Sequence, residues 1–124
     1  MHLGLTDKVV IVGGASKGIG RATALAFAQE GANVVICARN PELLEKTAGE
    51  IRSETGTEVL PVAGDLSQAD ATEKLVDETI TKFGTVHVLV ANTGGPPMGG
   101  FGEMDDAAWE NAFSLTFLST VRLI

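Results

Sequence analysis

The chain has no tyrosine anywhere, one cysteine and one tryptophan. Without a tyrosine, no phenol can serve as an acid or base at any position. With Cys37 as the lone thiol, no disulfide framework exists within the chain, which fits a reducing, cytoplasmic setting. Basic residues are also few: 9 Lys and Arg stand against 16 Asp and Glu. A nucleic-acid or anionic-membrane partner needs a basic patch, so neither is expected. No apolar run reaches the length of a membrane span, and "MHLGLTDK" lacks the features of a secretory leader. No cluster has metal-ligand spacing, so no metal site is expected. His87 falls inside a strand-like run with no acid or cysteine beside it, and reads as a packing residue rather than a catalyst. Repeats and low-complexity tracts are absent. What remains is an ordinary hydrophobic content and a length that fits one domain with a real core.

What is present alternates. "KVVIVGG" is a β-branched run closed by glycines. "IGRATALAFAQEG" sets Ile19, Thr23, Ala26 and Phe27 on one helical face and stops at Gly31. "ANVVICA" is a second strand. "NPELLEKTAGEIRSE" opens with Asn40 as N-cap and Pro41 at the first helical position, and Leu43, Leu44, Thr47 and Ile51 give a buried stripe. "EVLPVAGD" is a third strand, with Pro61 favouring an edge or a strand end. "SQADATEKLVDETITKFG" is a third helix, carrying Leu75, Val76, Thr79, Ile80 and Phe83 on one face and Gly84 at its end. "TVHVLVAN" is a fourth strand, "TGGPPMGGFGEMD" a Gly/Pro-rich loop, and a last helix begins near Asp105 or Asp106.

Strand and helix in alternation predict right-handed βαβ units, hence an α/β, doubly wound parallel sheet of the Rossmann type. The strands are continuous apolar runs, which fits burial on both faces. In such sheets ligands bind beyond the carboxyl ends of the strands.

The first strand end is the most informative. In "GGASKGIG", Gly14, Gly18 and Gly20 follow a strand and open a helix. Gly14 turns the chain off the strand. Gly18 lets backbone N–H groups approach a pyrophosphate, and Gly20 lets the helix pack close to the sheet. The helix N-terminus then faces the phosphates with free N–H groups. A plain tight turn is the competing reading, but the strand-turn-helix context favours a dinucleotide. The second strand end selects which one. An NAD site usually places an acid there for the ribose 2′-OH. Here Ala38 stands in that place and Arg39 follows, with Lys17 across in the glycine loop. An arginine fork and a lysine suit a 2′-phosphate, so NADP is the expected cofactor. The competing reading makes both solvated surface charges.

With these motifs, the chain resembles the N-terminal half of a short-chain dehydrogenase/reductase. "GGASKGIG" stands for the family's T-G-x-x-x-G-x-G, "GDL" (residues 64–66) follows strand three, and "ANTGG" (residues 91–95) stands for N-N-A-G. Residues 13–40 are most similar to 3-oxoacyl-acyl-carrier-protein-reductase-like members. The resemblance implies that Ser16, Lys17 and Ile19 complete the phosphate and ribose contacts, with Arg39 and Asn40 at the end of strand two. It implies that Asp65 bonds the adenine amino group and that Leu66 lies against the ring. Asn92 and Gly94 would line the cofactor and stabilise the central strands. A turn or cap role competes for Asp65.

The sequence departs from the family pattern in three places and lacks one part. Gly13 replaces a threonine, a change expected to touch loop stability more than chemistry. "ANTG" loses one motif asparagine. Seven residues past Trp109, where the family commonly has an asparagine of the proton relay, stands Thr116. The family's Tyr-x-x-x-Lys pair is absent. The resemblance therefore implies the NADP-binding portion (1–124) of a single domain whose catalytic portion lies beyond it. The complete protein would move a hydride between NADP and a small-molecule carbonyl or alcohol, and this chain alone would be inactive. "VHVLVA" is apolar on both faces and would be an exposed hydrophobic edge with nothing beside it. The last helix has two apolar stripes: Trp109, Phe113, Phe117 and Val121, and Leu115, Leu118 and Leu123. By resemblance its outer face makes a homo-oligomer contact. The alternative is a non-catalytic dinucleotide-binding or regulatory module complete at 124 residues. A nucleotide-sugar epimerase of the extended family fits the glycine spacing and the basic pair less well.

Overall fold

The computed structural model describes residues 2–93 and 99–124. Four strands, β1 (Val9–Gly13), β2 (Asn33–Ala38), β3 (Val59–Ala63) and β4 (Val88–Val90), form one parallel sheet in the order β3-β2-β1-β4. They are joined by α1 (Gly18–Gln29), α2 (Pro41–Thr55) and α3 (Ala69–Phe83). The sheet is doubly wound, as the alternation predicts. Val10 of β1 lies opposite Val34 on one side and Val88 on the other. Pro61 lies opposite Ile36 on β3, an outer strand where a missing N–H is tolerated.

Successive strand residues point to opposite faces, and both faces are covered. Val10, Val12, Val34 and Ile36 pack with Ala24 and Ala28 of α1 and with Leu44, Ala48 and Ile51 of α2. Ile11, Val35, Cys37 and Val62 pack on the other side with Leu66, Ala71 and Leu75. Full burial of a side chain such as Ile36 or Leu75 stabilises by roughly 1.5–3 kcal/mol, which is why these runs are apolar throughout.

The helix faces are rotated from the predicted ones. In α1 the buried residues are Gly20, Ala24 and Ala28, while Ile19 and Ala26 are exposed. The reason is close approach. A Cβ at Gly20 would run into the carbonyl of Gly14, so small residues lie directly beneath this helix, while Leu25 and Phe27 are half-buried against the edge of the core. In α2, Leu44, Thr47, Ala48 and Ile51 are inside but Leu43 is exposed. Asn40 caps this helix, its Oδ1 accepting from the Leu43 N–H at 3.1 Å, and Gly56 ends it at φ +70°. In α3 the inward face is Ala71, Thr72, Leu75 and Thr79; Val76 and Ile80 lie one position round and stay exposed.

β4 is shorter than the sequence suggests and pairs only with β1, leaving its residues half-buried. His87 precedes β4 instead of lying inside it. Its Nδ1 accepts from the Val9 N–H at 2.9 Å and its own N–H donates to the Val9 carbonyl at 2.9 Å. It joins the strands at the amino end of the sheet, away from the carboxyl ends where ligands bind.

The last helical region is not one regular helix. α4 (Asp106–Phe113) is capped by Asp105, which accepts from the Ala108 N–H at 2.8 Å. A wide π-turn over Ser114–Leu118 then leads to α5 (Ser119–Leu123). Ser119 Oγ donates back to the Leu115 carbonyl, and Thr120 to that of Thr116; such back-bonding accompanies bent helices. Arg122 donates to the Ser67 carbonyl at 3.1 Å and ties α5 to the turn before α3. Leu115 is buried and Leu118 and Leu123 half-buried, whereas Trp109, Phe113, Phe117 and Val121 are exposed. Among the described residues, no helix is long and apolar enough to cross a membrane.

Candidate functional site

A cleft of about 280 Å³ opens at the carboxyl ends of β1, β2 and β3. The glycine loop forms one wall through Gly14, Ser16 and Lys17. Arg39 and Asn40, between β2 and α2, form the rim. Asp65 and Leu66, after β3, form the far side. The fold thus brings together seven of the site residues expected from sequence.

The loop takes its shape from specific contacts. Gly14 has φ +57°, a left-handed conformation natural to glycine. The Asn92 side chain donates to the Gly13 carbonyl at 3.1 Å. Asn92 therefore braces the loop from the end of β4 and does not itself line the cleft. Gly20 serves helix packing, and Gly18, at φ +62°, turns the chain into α1. Ile19 is 82% exposed and faces an apolar groove beside Leu3 and Leu5, on the outer side of α1. Gly94 lies outside the described residues. Thr116 is exposed in the π-turn, and its neighbour Leu115 reaches the cleft instead.

α1 begins without a side-chain cap and without an acid in its first turn. By contrast, α2 and α4 have both. The first N–H groups of a helix need partners, and at α1 no capping side chain supplies one. Lys17 and Arg39 are exposed, and neither joins an ion pair among the described residues. Glu42, the acid closest to Arg39 in sequence, sits in the first turn of α2, where it complements the helix dipole. Asp65 fills the turn role considered for it: one carboxylate oxygen accepts from the Ser67 N–H at 3.0 Å, an Asx-turn, and the residue also borders the cleft.

Sequence reasoning missed three cleft residues with some chemistry. Leu43 stands in the first turn of α2, three residues after the Asn40 cap, and offers an apolar edge. Thr93 borders the cleft after β4. Cys37 forms part of the floor, and burial pushes its thiol up to about 11, with Lys74 opposing and Asp65 adding to the rise. Such a thiol stays protonated and inert at neutral pH. Leu43 was detectable from the three-residue spacing to its cap; the other two depended on which strand ends the sheet brings together.

A family model for short chain dehydrogenases matches residues 8–124. A curated relative from Caenorhabditis elegans, dehydrogenase/reductase SDR family member 4, is 38% identical over 87% of this chain and 42% of its own length. The Thauera aromatica (2S)-[(R)-hydroxy(phenyl)methyl]succinyl-CoA dehydrogenase subunit BbsD is 33% identical over 95% of this chain and 49% of its own. Among solved structures, L-sorbose reductase from Gluconobacter frateurii, complexed with NADPH and L-sorbose, superposes with a TM-score of 0.94 at 33% identity, covering 99% of this chain and 47% of that one. The chain spans about half the length of the relatives it matches.

Proposed function

The chain belongs to the short-chain dehydrogenase family, and we propose that it is the NADP-binding portion of an oxidoreductase that moves a hydride between the cofactor and a small carbonyl or alcohol. One observation carries the cofactor assignment: Lys17 and Arg39, both without a carboxylate partner among the described residues, flank the uncapped start of α1, and Ala38 stands where a ribose-binding acid would be. The residues fit the cofactor chemically. Free N–H groups of α1 suit the pyrophosphate. The two cations suit a 2′-phosphate. Asp65 offers a carboxylate to an amino group, and Leu66 an apolar surface to a ring. Bound NADPH supplies the hydride; this chain's residues bind and orient it.

Further features belong to the same reading. Thr116, beside the cleft-lining Leu115, is offered as a residue that orients a water, since a hydroxyl is too weak an acid to act as the proton donor. A 3-oxoacyl thioester is one substrate class to try, on the similarity of residues 13–40 to such reductases. The exposed stripe of α4 is offered as a homo-oligomer contact, and the single protonated thiol suits a reducing, cytoplasmic setting. The dehydrogenase and reductase names of the relatives weigh against a non-catalytic module.

The test titrates NADPH and NADH against the complete gene product and its Arg39→Ala variant. Wild type is expected to prefer NADPH. The variant should lose about 1.5–3 kcal/mol of NADPH binding, the range for hydrogen bonds to charged groups, with little change for NADH. Equal affinities of wild type for the two cofactors would overturn the assignment.

A further inference from the structure

Three peptide units of the glycine loop are held from outside it. Asn92 donates to the Gly13 carbonyl at 3.1 Å, after β4. The Ala15 N–H donates to the Cys37 carbonyl of β2 at 3.1 Å. The third tie comes from α2, where Thr47 Oγ1 donates to the Ser16 carbonyl at 3.0 Å, across 31 positions of sequence.

Thr47 behaves unlike the other helical threonines whose bonds are known. Thr23, Thr55, Thr79 and Thr120 each donate back to the carbonyl four residues earlier in their own helical segment. Thr47 reaches out of α2 instead. It is 2% exposed and packed in the stripe of Leu44, Ala48 and Ile51. A hydroxyl buried there is costly unless it is bonded, and the loop carbonyl is its partner. The peptide unit is planar and trans, so the Ser16 carbonyl and the Lys17 N–H point in opposite directions. Holding the carbonyl toward α2 turns the Lys17 N–H away from α2 and fixes how Lys17 enters α1 as its N-cap residue. α2 also starts at the Arg39–Asn40 rim. One helix therefore holds the glycine loop and carries the basic rim.

We propose that Thr47 is a positioning residue for the cofactor: through Ser16 it fixes the glycine loop against α2, so that the loop amides and Arg39 keep the spacing a 2′-phosphorylated dinucleotide needs. The proposal rests on the NADP reading above. Calorimetric titration of the complete gene product tests it, using NADPH and adenosine 2′-phosphate, which has the 2′-phosphate but no pyrophosphate. Thr47→Val keeps the side-chain shape and removes the donor. It should weaken NADPH binding roughly 5- to 50-fold, as expected when a part-buried carbonyl loses its hydrogen bond. Binding of adenosine 2′-phosphate should weaken clearly less than that of NADPH, because it has no pyrophosphate for the loop amides to hold and keeps its contact with Arg39 outside the loop. Thr47→Ser, which keeps the hydroxyl, should restore NADPH affinity. Thr47→Ala must repeat the valine pattern and replaces it if the valine variant does not fold. Unchanged NADPH affinity in the variants overturns this proposal alone. So does a parallel loss of both ligands with a falling melting temperature, the mark of a merely structural threonine. Wild-type protein that binds neither ligand overturns the NADP reading as well.

Discussion

At Gly13 an absent side chain shapes the site. A Cβ there would run into the carbonyl oxygen of Asn92 and come within 3.3 Å of Leu66 Cδ1. The sequence marks Gly13 as a departure from a threonine; only the packed strands show what the glycine makes room for. Gly13→Ala should therefore destabilise the protein by about 1–3 kcal/mol, as overpacking does, read as a lower urea midpoint. Cys37 gives a pH dependence. Below pH 9 the thiol is protonated in folded and unfolded chains and contributes no slope. Above it the unfolded thiol ionises while the buried one, raised from 9.0 to about 11, holds its proton. Stability should fall as pH rises from 9 to 11, by about 2–3 kcal/mol from this group. Urea midpoints of wild type and Cys37→Ala across that window check it; equal slopes would exclude the effect. At this scale Lys17, Arg39 and Asp65 were legible, because residue type and position after a strand are both written in the sequence. Ile19 was not, because its direction depends on how closely α1 lies on the sheet.

Among the elements, the region from α4 to α5 shows how far a pattern carries. The two apolar stripes read from sequence separate in the structure, one inward through Leu115 and one outward. Trp109, Phe113, Phe117 and Val121 are each 50–56% exposed, and Phe113 and Phe117 stack with ring centroids 5.1 Å apart. A contiguous exposed apolar stripe marks an interaction surface. In the complete gene product, Phe113→Glu with Phe117→Glu should shift sedimentation to a smaller species without lowering helix content. An unchanged sedimentation coefficient would remove this stripe as the contact. The π-turn was not legible: it reflects hydroxyl-to-carbonyl bonds competing within a helix, and helical periodicity alone is blind to them.

For the molecule as a whole, the proposed cofactor contacts and proton transfer are separable. The cleft is built by the ends of β1, β2 and β3, all within residues 1–124. The family's phenolic acid/base cannot be supplied here, since the chain contains no tyrosine. His87 sits at the opposite end of the sheet, and Cys37 is held protonated. Positioned acid–base catalysis typically contributes ~10²–10⁴-fold. A chain verified by mass to comprise residues 1–124 is therefore expected to show no NADPH-dependent turnover of ketones or 3-oxoacyl thioesters. Robust turnover by that species would mean that another group delivers the proton. β4 pairs on one side only, so this chain is also expected to aggregate or to find a partner for that edge.

The sequence by itself determined the order of strands and helices, the glycine loop, the cap at Asn40, the start of the last helix near Asp105, and the basic pair at Lys17 and Arg39. Each is a local matter: periodicity, turn chemistry and charge act over a few residues and are carried by residue type. Tertiary structure alone decided which helix faces turn inward, that Asn92 and Thr47 hold the loop from two different elements, and that Leu43 and Leu115 meet at one cleft. Those outcomes join positions tens of residues apart, and they follow from how closely the backbones approach once the sheet closes, at Gly13 against Asn92 and at Gly20 against Gly14.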